Sequence, residues 1–222
     1  MLVSNLPGAR VDVPPGVRVL ENERRLGFGA NVNRGVRATN AELVVAGNPD
    51  IEAQPGALGA LETFMRAHPR CGIAAPQLRY PDGRWQPSRR AFPTVSGSLV
   101  RRTPLRLALR PLERQRSHYL SDERPEEPVE SDWMLGAFLC FRRTAFEQLG
   151  GYDEGFTLYG EDIDLCYRAA KAGWERWYVP QAVVVHRHQA VSDHRFLTRR
   201  TLWHWQSMLR FVRKHPERLR AL

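Results

Sequence analysis

Apolar residues in this chain fall into short blocks separated by turn residues, and the blocks alternate between two spacings. Leu43-Val44-Val45-Ala46 and Ile73-Ala74-Ala75 are continuous apolar runs, the pattern of parallel strands covered on both faces. Between and before them the spacing becomes helical. Gly27-Phe28-Gly29-Ala30 opens a helix to about Thr39, and its small residues allow the backbone to pack closely on a sheet. Pro55-Gly56 opens a second helix to about Ala67, with the proline suited to a first turn. Leu2-Val3 and Val17-Arg18-Val19-Leu20, on either side of the Pro14-Pro15-Gly16 turn, read as two short strands. The recurrence strand–helix–strand–helix–strand over the first 75 residues predicts an α/β fold with a mostly parallel sheet flanked by helices.

Further along, Pro81-Asp82-Gly83 marks a turn between two extended segments. Residues 95–130 are rich in Arg, Pro and Glu and weakly periodic, which predicts a mobile excursion with a short helix near Leu105–Leu112. Gly136-Ala137-Phe138-Leu139-Cys140-Phe141 is a buried strand, and Arg143–Leu149 a helix stopped by Gly150-Gly151. Glu161–Ala172 is a helix stopped by Gly173, with Asp164 and Arg168 as a favourable i,i+4 pair. Val183-Val184-Val185 is the last strand, and residues 194–214 form a basic amphipathic helix. The division this suggests is a main domain over residues 1–190 and a helical extension over 191–222.

The 222 residues suit one domain with a small appendage. No run of about 18 apolar residues is present to span a membrane. Met1-Leu2-Val3-Ser4-Asn5 lacks the basic start and long apolar stretch of a signal peptide, so the expected compartment is the cytoplasm. Cys71, Cys140 and Cys166 are odd in number, far apart and apolar in setting, which argues for buried reduced thiols over disulfides or zinc. A net charge of +9, owed to arginine, implies an anionic partner without choosing among nucleic acid, lipid surface and diphosphate-bearing substrate.

Four stretches carry candidate chemistry, each with a plainer alternative. Asn48-Pro49-Asp50 ends a strand, where ligands of open α/β sheets collect and a carboxylate can hold a divalent cation; the alternative is a capped turn. Glu161-Asp162-Ile163-Asp164 crowds three carboxylates at one helix start. Such groups cap helices well, and one of them can also serve as a base towards a sugar hydroxyl. His186, with His188 on the same side of an extended segment, follows the last strand and can complete a metal site with Asp50 or be an ordinary surface histidine. Trp133-Met134-Leu135-Gly136-Ala137 offers an aromatic to stack on a sugar face, or else a core tryptophan beside a bulge.

These motifs come in one order with Asn22, Leu26-Gly27-Phe28-Gly29-Ala30-Asn31, Asn33-Arg34-Gly35, Gly150-Gly151-Tyr152-Asp153-Glu154 and Gly173-Trp174. In that order, over roughly residues 17–190, the chain resembles glycosyltransferase family 2, and within it the rhamnosyltransferase-type bacterial members. The resemblance implies a GT-A-like fold, and a chain that starts at the family's second strand, without the first. It implies an inverting displacement at the anomeric carbon of a nucleotide sugar. Asp162 matches the family's base and Glu161 its acidic neighbour. Asn48 and Asp50 match the DxD-type motif, and His186 matches the histidine of a shell for Mg²⁺ or Mn²⁺. Asn5, Gly27 and Asn31 fall on the nucleotide side, with Ser4 standing where the family has an aspartate. Trp133 and Gly136 fall on the acceptor-side strand. The implied partners are a dTDP- or UDP-sugar donor and a glycan or polyprenyl-diphosphate-linked acceptor in cell-wall or surface polysaccharide synthesis.

The basic end, from Arg195 through Trp203, Trp205 and Phe211 to Lys214, suits peripheral contact with an anionic inner membrane face or a helix packed on the domain. Beside the enzyme stand a non-catalytic homologue that binds sugar-lipid or a partner, and a basic nucleic-acid module, which the carboxylate-rich motifs disfavour.

Overall fold

A computed structural model describes residues 1–8, 10–92, 124–156, 159–187 and 199–219. Eleven strands and five α-helices follow one another among them. The strands are β1 (Leu2–Ser4), β2 (Val19–Glu21), β3 (Leu43–Gly47), β4 (Ile51–Ala53), β5 (Cys71–Arg79), β6 (Trp85–Gln86), β7 (Arg89–Arg90), β8 (Val129–Glu130), β9 (Trp133–Met134), β10 (Phe138–Arg142) and β11 (Glu175–His186). The helices are α1 (Phe28–Arg37), α2 (Ala57–Ala67), α3 (Arg143–Gln148), α4 (Glu161–Lys171) and α5 (Arg199–Lys214), with a 3₁₀ turn at Pro216–Leu219. Most of the excursion expected over residues 95–130, including the helix near Leu105–Leu112, lies outside the described residues, as do His188 and the first residues of the basic end.

Seven strands form the main sheet, with the order β3-β10-β5-β11-β4 and with β6 and β8 added on β5 and β11. The expectation of a mostly parallel sheet is corrected here. β5 and β11 pair in parallel, whereas β10 runs antiparallel to both β3 and β5, and β4, β6 and β8 are antiparallel to their neighbours. For β4 and β6 the reason lies in connections shorter than a parallel crossover needs. The Asn48-Pro49-Asp50 turn and the hairpin through Gly83 (φ 82°, with Tyr80 N–H donating to Arg84 O at 2.8 Å) each reverse the chain. One consequence shapes the rest of the molecule. The carboxyl ends of β3, β5 and β11 and the amino end of β10 all lie at one edge of the layer.

Along the central strands β5 and β10 side chains alternate between two buried faces with period two. Ile73, Ala75, Leu139 and Phe141 face one cluster with Phe146, Tyr152, Ile163, Leu165 and Phe211; Ala74, Leu78 and Cys140 face another with Leu61, Met65 and Val184. Thus α2 covers one face and α4 with α5 the other. β3 departs from the expectation of a strand buried on both faces. It is the edge of the sheet, and Val45 is 41% exposed. β1 and β2 form a separate parallel pair, with Val3 against Gly35 of α1. All three cysteines are free and buried, and loss of hydration pushes each thiol up to about 12.

The basic C-terminal helix packs on the domain, the second of the two alternatives its sequence left open. Phe211 is 2% exposed and joins the first cluster, edge-on to Tyr167 at 5.7 Å. Among the described residues no helix is long and apolar enough to cross a membrane.

Close packing of α1 depends on Gly29, as the small-residue pattern predicts. A Cβ there would lie 2.7 Å from Tyr152 Cβ. Gly29→Ala sets a helix-propensity gain of about 1 kcal/mol against overpacking of about 1–3 kcal/mol. Tyr152 is 2% exposed and held on both sides, so the substitution is expected to lower stability in urea denaturation.

Candidate active site

The edge where the strand ends converge collects most of the candidate residues. α4 opens after two consecutive left-handed residues, Tyr159 (φ 67°) and Gly160 (φ 87°). A non-glycine residue in that region stores strain, and the turn it makes aims the first carboxylates of α4 back at the sheet. Asp162 Oδ2 accepts the Gly136 N–H (3.1 Å) and Oδ1 the N–H of Ile163 (2.9 Å). One residue further along, Ala137 O accepts the N–H of Asn48 (2.9 Å). The base candidate and the strand tip carrying Asp50 are therefore tied to consecutive residues of the β9–β10 junction.

β4 pairs with the end of β11, with His186 opposite Ile51, and Arg187 N–H donates to Asp50 O (2.8 Å). That register brings His186 Nε2 to 3.5 Å from Asp50 Oδ1. His186 is 4% exposed, and its Nδ1 lies 3.1 Å from Gln86 Oε1. An amide oxygen there accepts from Nδ1–H and so turns the Nε2 lone pair towards Asp50. Asp50 Oδ1 is a buried atom with no hydrogen-bond partner. A buried carboxylate oxygen without a donor, facing an imidazole nitrogen, fits a divalent cation by its donor chemistry. Among the described residues no cluster of three or more metal-ligating side chains occurs, so Asp50 and His186 are the whole protein contribution found there.

The two leading acids differ in their surroundings. Burial raises the Asp162 carboxyl, while the N–H donors of Gly136 and Ile163, and more weakly the Arg90 charge, pull it back. Glu161 is 8% exposed, and its Oε2 has no hydrogen-bond partner. Burial, with the Asp162 charge adding to it, pushes Glu161 up to about 8.

Asn5, Gly27 and Asn31, the candidates for the nucleotide side, meet in a stitched corner at the entry to α1. The Asn5 amide donates to Leu26 O (2.9 Å) and accepts from Leu26 N–H (2.8 Å). Asn22 donates to both Asn5 Oδ1 (3.0 Å) and Asn31 Oδ1 (2.6 Å), and Arg34 donates to Asn22. Asn5 and Asn31 thus hold the entry to α1, where Gly27 is the extended N-cap residue. Ser4 lies beside them, 4% exposed, with its Oγ unpartnered.

Trp133 requires a correction. It is 5% exposed and packed in the core, and its indole N–H donates to Ala91 O (2.8 Å), so its ring cannot lie against a sugar face. Gly136 does reach the candidate centre, through its backbone N–H. Sequence reasoning missed Gln86 and Arg90. Gln86 had a usable signal, because the Pro81-Asp82-Gly83 turn fixes a hairpin in which Gln86 pairs with buried Leu78. Arg90 had none, since its place depends on the short β7–β9 pairing.

Comparison with known proteins follows this geometry. A family model described as glycosyltransferase-like family 2 matches residues 6–206. An N-acetylglucosaminyl-diphospho-decaprenol L-rhamnosyltransferase of Mycobacterium tuberculosis H37Rv is 38% identical over 208 residues, covering 85% of this chain and 64% of that protein. Rhamnosyltransferase WbbL of Escherichia coli K12 is 37% identical over 93 residues, covering 40% and 34%. The chain therefore spans less than two thirds of the length of these relatives. Among solved structures, GalNAc-T7 with UDP, GalNAc and Mn²⁺ superposes with a TM-score of 0.60 at 18% identity, over 88% of this chain and 36% of that one. The mannosyltransferase PcManGT of Pyrobaculum calidifontis, with GDP-Man and Mn²⁺, gives 0.54 at 16% identity, over 90% and 46%. At such identities the shared property is the fold, a GT-A-like α/β sheet flanked by helices. With a matched model over most of its length and this architecture beneath it, the chain belongs to the family 2-like glycosyltransferases.

Proposed function

We propose that this chain is the catalytic part of an inverting glycosyltransferase that moves a sugar, L-rhamnose by its relatives' names, from a nucleoside-diphosphate donor to a polyprenyl-diphosphate-linked N-acetylglucosamine. The observation that carries the reading is the Asp162 carboxylate, half-buried and held on the Gly136 N–H one residue from the contact to the Asp50 strand tip. In this reading Asp162 takes the proton of the acceptor hydroxyl as that oxygen attacks the anomeric carbon. The bond to the diphosphate breaks on the opposite face, which inverts the configuration. A carboxyl raised from its ordinary value is a stronger base than a free one.

Glu161 and Asp162 are adjacent and alike in charge, Glu161 buried and Asp162 half-buried, so the pair retains one proton near neutral pH. Asp162 has two N–H donors to stabilise its anion; Glu161 Oε2 has none. The proton accordingly resides on Glu161, which leaves Asp162 ionised for its task. Asp50 and His186 would hold the divalent cation, Mg²⁺ or Mn²⁺, whose charge offsets that of the departing diphosphate. Ser4 and the Asn5–Asn22–Asn31 corner would border the nucleotide, and Gly136 the acceptor.

Asp162→Asn preserves shape and removes the base. Transfer, followed as nucleoside diphosphate released and sugar gained by the lipid acceptor, should fall by about 10²–10⁴ with the circular dichroism spectrum unchanged. Retained turnover would refute the assignment. A second expectation concerns stability. Glu161 binds its proton more tightly folded than unfolded, so between its ordinary value and about 8 the native state carries the extra proton. Stability attributable to this group therefore declines as pH rises through that window. Glu161→Gln should remove this decline, seen as a smaller loss of unfolding free energy from pH 5 to 8 than the unaltered chain shows.

A further inference from the structure

The mouth of α4 is held from behind by the C-terminal helix. Ser207, Arg210, Phe211, Lys214 and His215 follow the spacing i, i+3, i+4, i+7, i+8 and so form one face. Arg210 donates to both oxygens of Asp153 (2.7 and 3.3 Å) and lies so close over Gly155 that a Cβ there would meet its guanidinium. Lys214 Nζ bridges two acids, 2.9 Å from Asp153 Oδ2 and 2.9 Å from Asp164 Oδ1. His215 Nε2 lies 2.8 Å from the same Asp164 oxygen. Ser207 Cβ sits 3.4 Å from where a Cβ on Gly160 would be.

Asp164 is the focus of these contacts. It is 0% exposed, two residues beyond Asp162 in the same first turn of α4. Arg168 donates to its Oδ2 (2.7 Å) and continues to Leu149 O and Gly151 O. One buried carboxylate thus joins α4, the glycine turn after α3, and α5. Desolvating that many charges brings little net affinity compared with a packed apolar contact. What a set of directional bonds supplies is a fixed rotation of the turn, and that rotation sets where Asp162 points.

We propose that Lys214 and His215 are positioning residues for the α4 acids, acting through Asp164 to keep the Asp162 carboxylate on the Gly136 N–H. The kinetic part of this proposal rests on the transferase reading; the structural part does not. Burial acts to raise Asp153, yet the bonds from Arg210, Lys214 and Gly155 N–H outweigh it and hold that carboxyl well below its ordinary range. The second anchor of α5 is therefore ionised under assay conditions.

The test uses the full chain with Lys214→Met, which keeps the stem and removes the charge, and Lys214→Arg, which keeps the charge. Transfer kinetics are read beside NMR-detected amide exchange. For the Met variant kcat is expected to fall about 10–100-fold, with KM for the nucleotide sugar within about twofold. Exchange at the Gly136, Asp164 and Leu165 amides should quicken about tenfold while β5 amides stay protected, and Lys214→Arg should restore both readouts. Unchanged kcat, unchanged exchange at the three amides, or protection lost equally in β5 would each overturn the proposal. If the unaltered chain transfers no sugar, the transferase reading fails by itself and exchange alone decides. Quickening confined to the three amides then sustains the positioning role; none, or a uniform change, overturns it.

Discussion

One backbone N–H, that of Gly136, joins the two halves of the candidate centre. It holds the Asp162 carboxylate, and the carbonyl of the next residue, Ala137, holds the Asn48 N–H at the strand tip that ends in Asp50. Both bonds depend on β10 running against its neighbours, since only then does its amino end meet the carboxyl ends of β3, β5 and β11. Strand direction here is a condition of the site. A parallel β10 would present Arg142 at this edge and leave the helix mouth with nothing to face.

Much of this was legible in the sequence. The start of α4 at Glu161 and the Asp164–Arg168 pair are local patterns, as is the glycine stop after α3, and each is where its residues require. The order of motifs from Asn48 through Trp133 to His186 carried the family. Pairing direction was not legible, because an apolar run such as Phe138–Phe141 reads identically in either sense. Nor was the length of β11. Its first half, Glu175–Pro180, mixes charged and aromatic residues whose burial is decided by β5 and β8 alongside. Trp133 could have faced a sugar or the core until the Ala91 carbonyl was known to receive its indole N–H.

The basic helix shows how charge misleads when partners are remote. Arg210 and Lys214 look like lipid-facing residues along the chain, yet their acids are about fifty residues away, at Asp153 and Asp164. Arginine-rich composition therefore says little about what this face meets. Lys214 is directed onto Asp164, in the first turn of the helix that bears Asp162, and Arg210 onto Asp153, in the loop before it.

The sealed cysteines have a practical corollary. With Cys71, Cys140 and Cys166 all buried and their thiols pushed up to about 12, maleimide chemistry at neutral pH finds no native thiolate to attack. The unaltered chain is thus a ready background for single-site labelling. A cysteine in place of Leu209, which is 49% exposed on the outer side of α5, would carry a fluorophore or spin label with no prior removal of native sulfur.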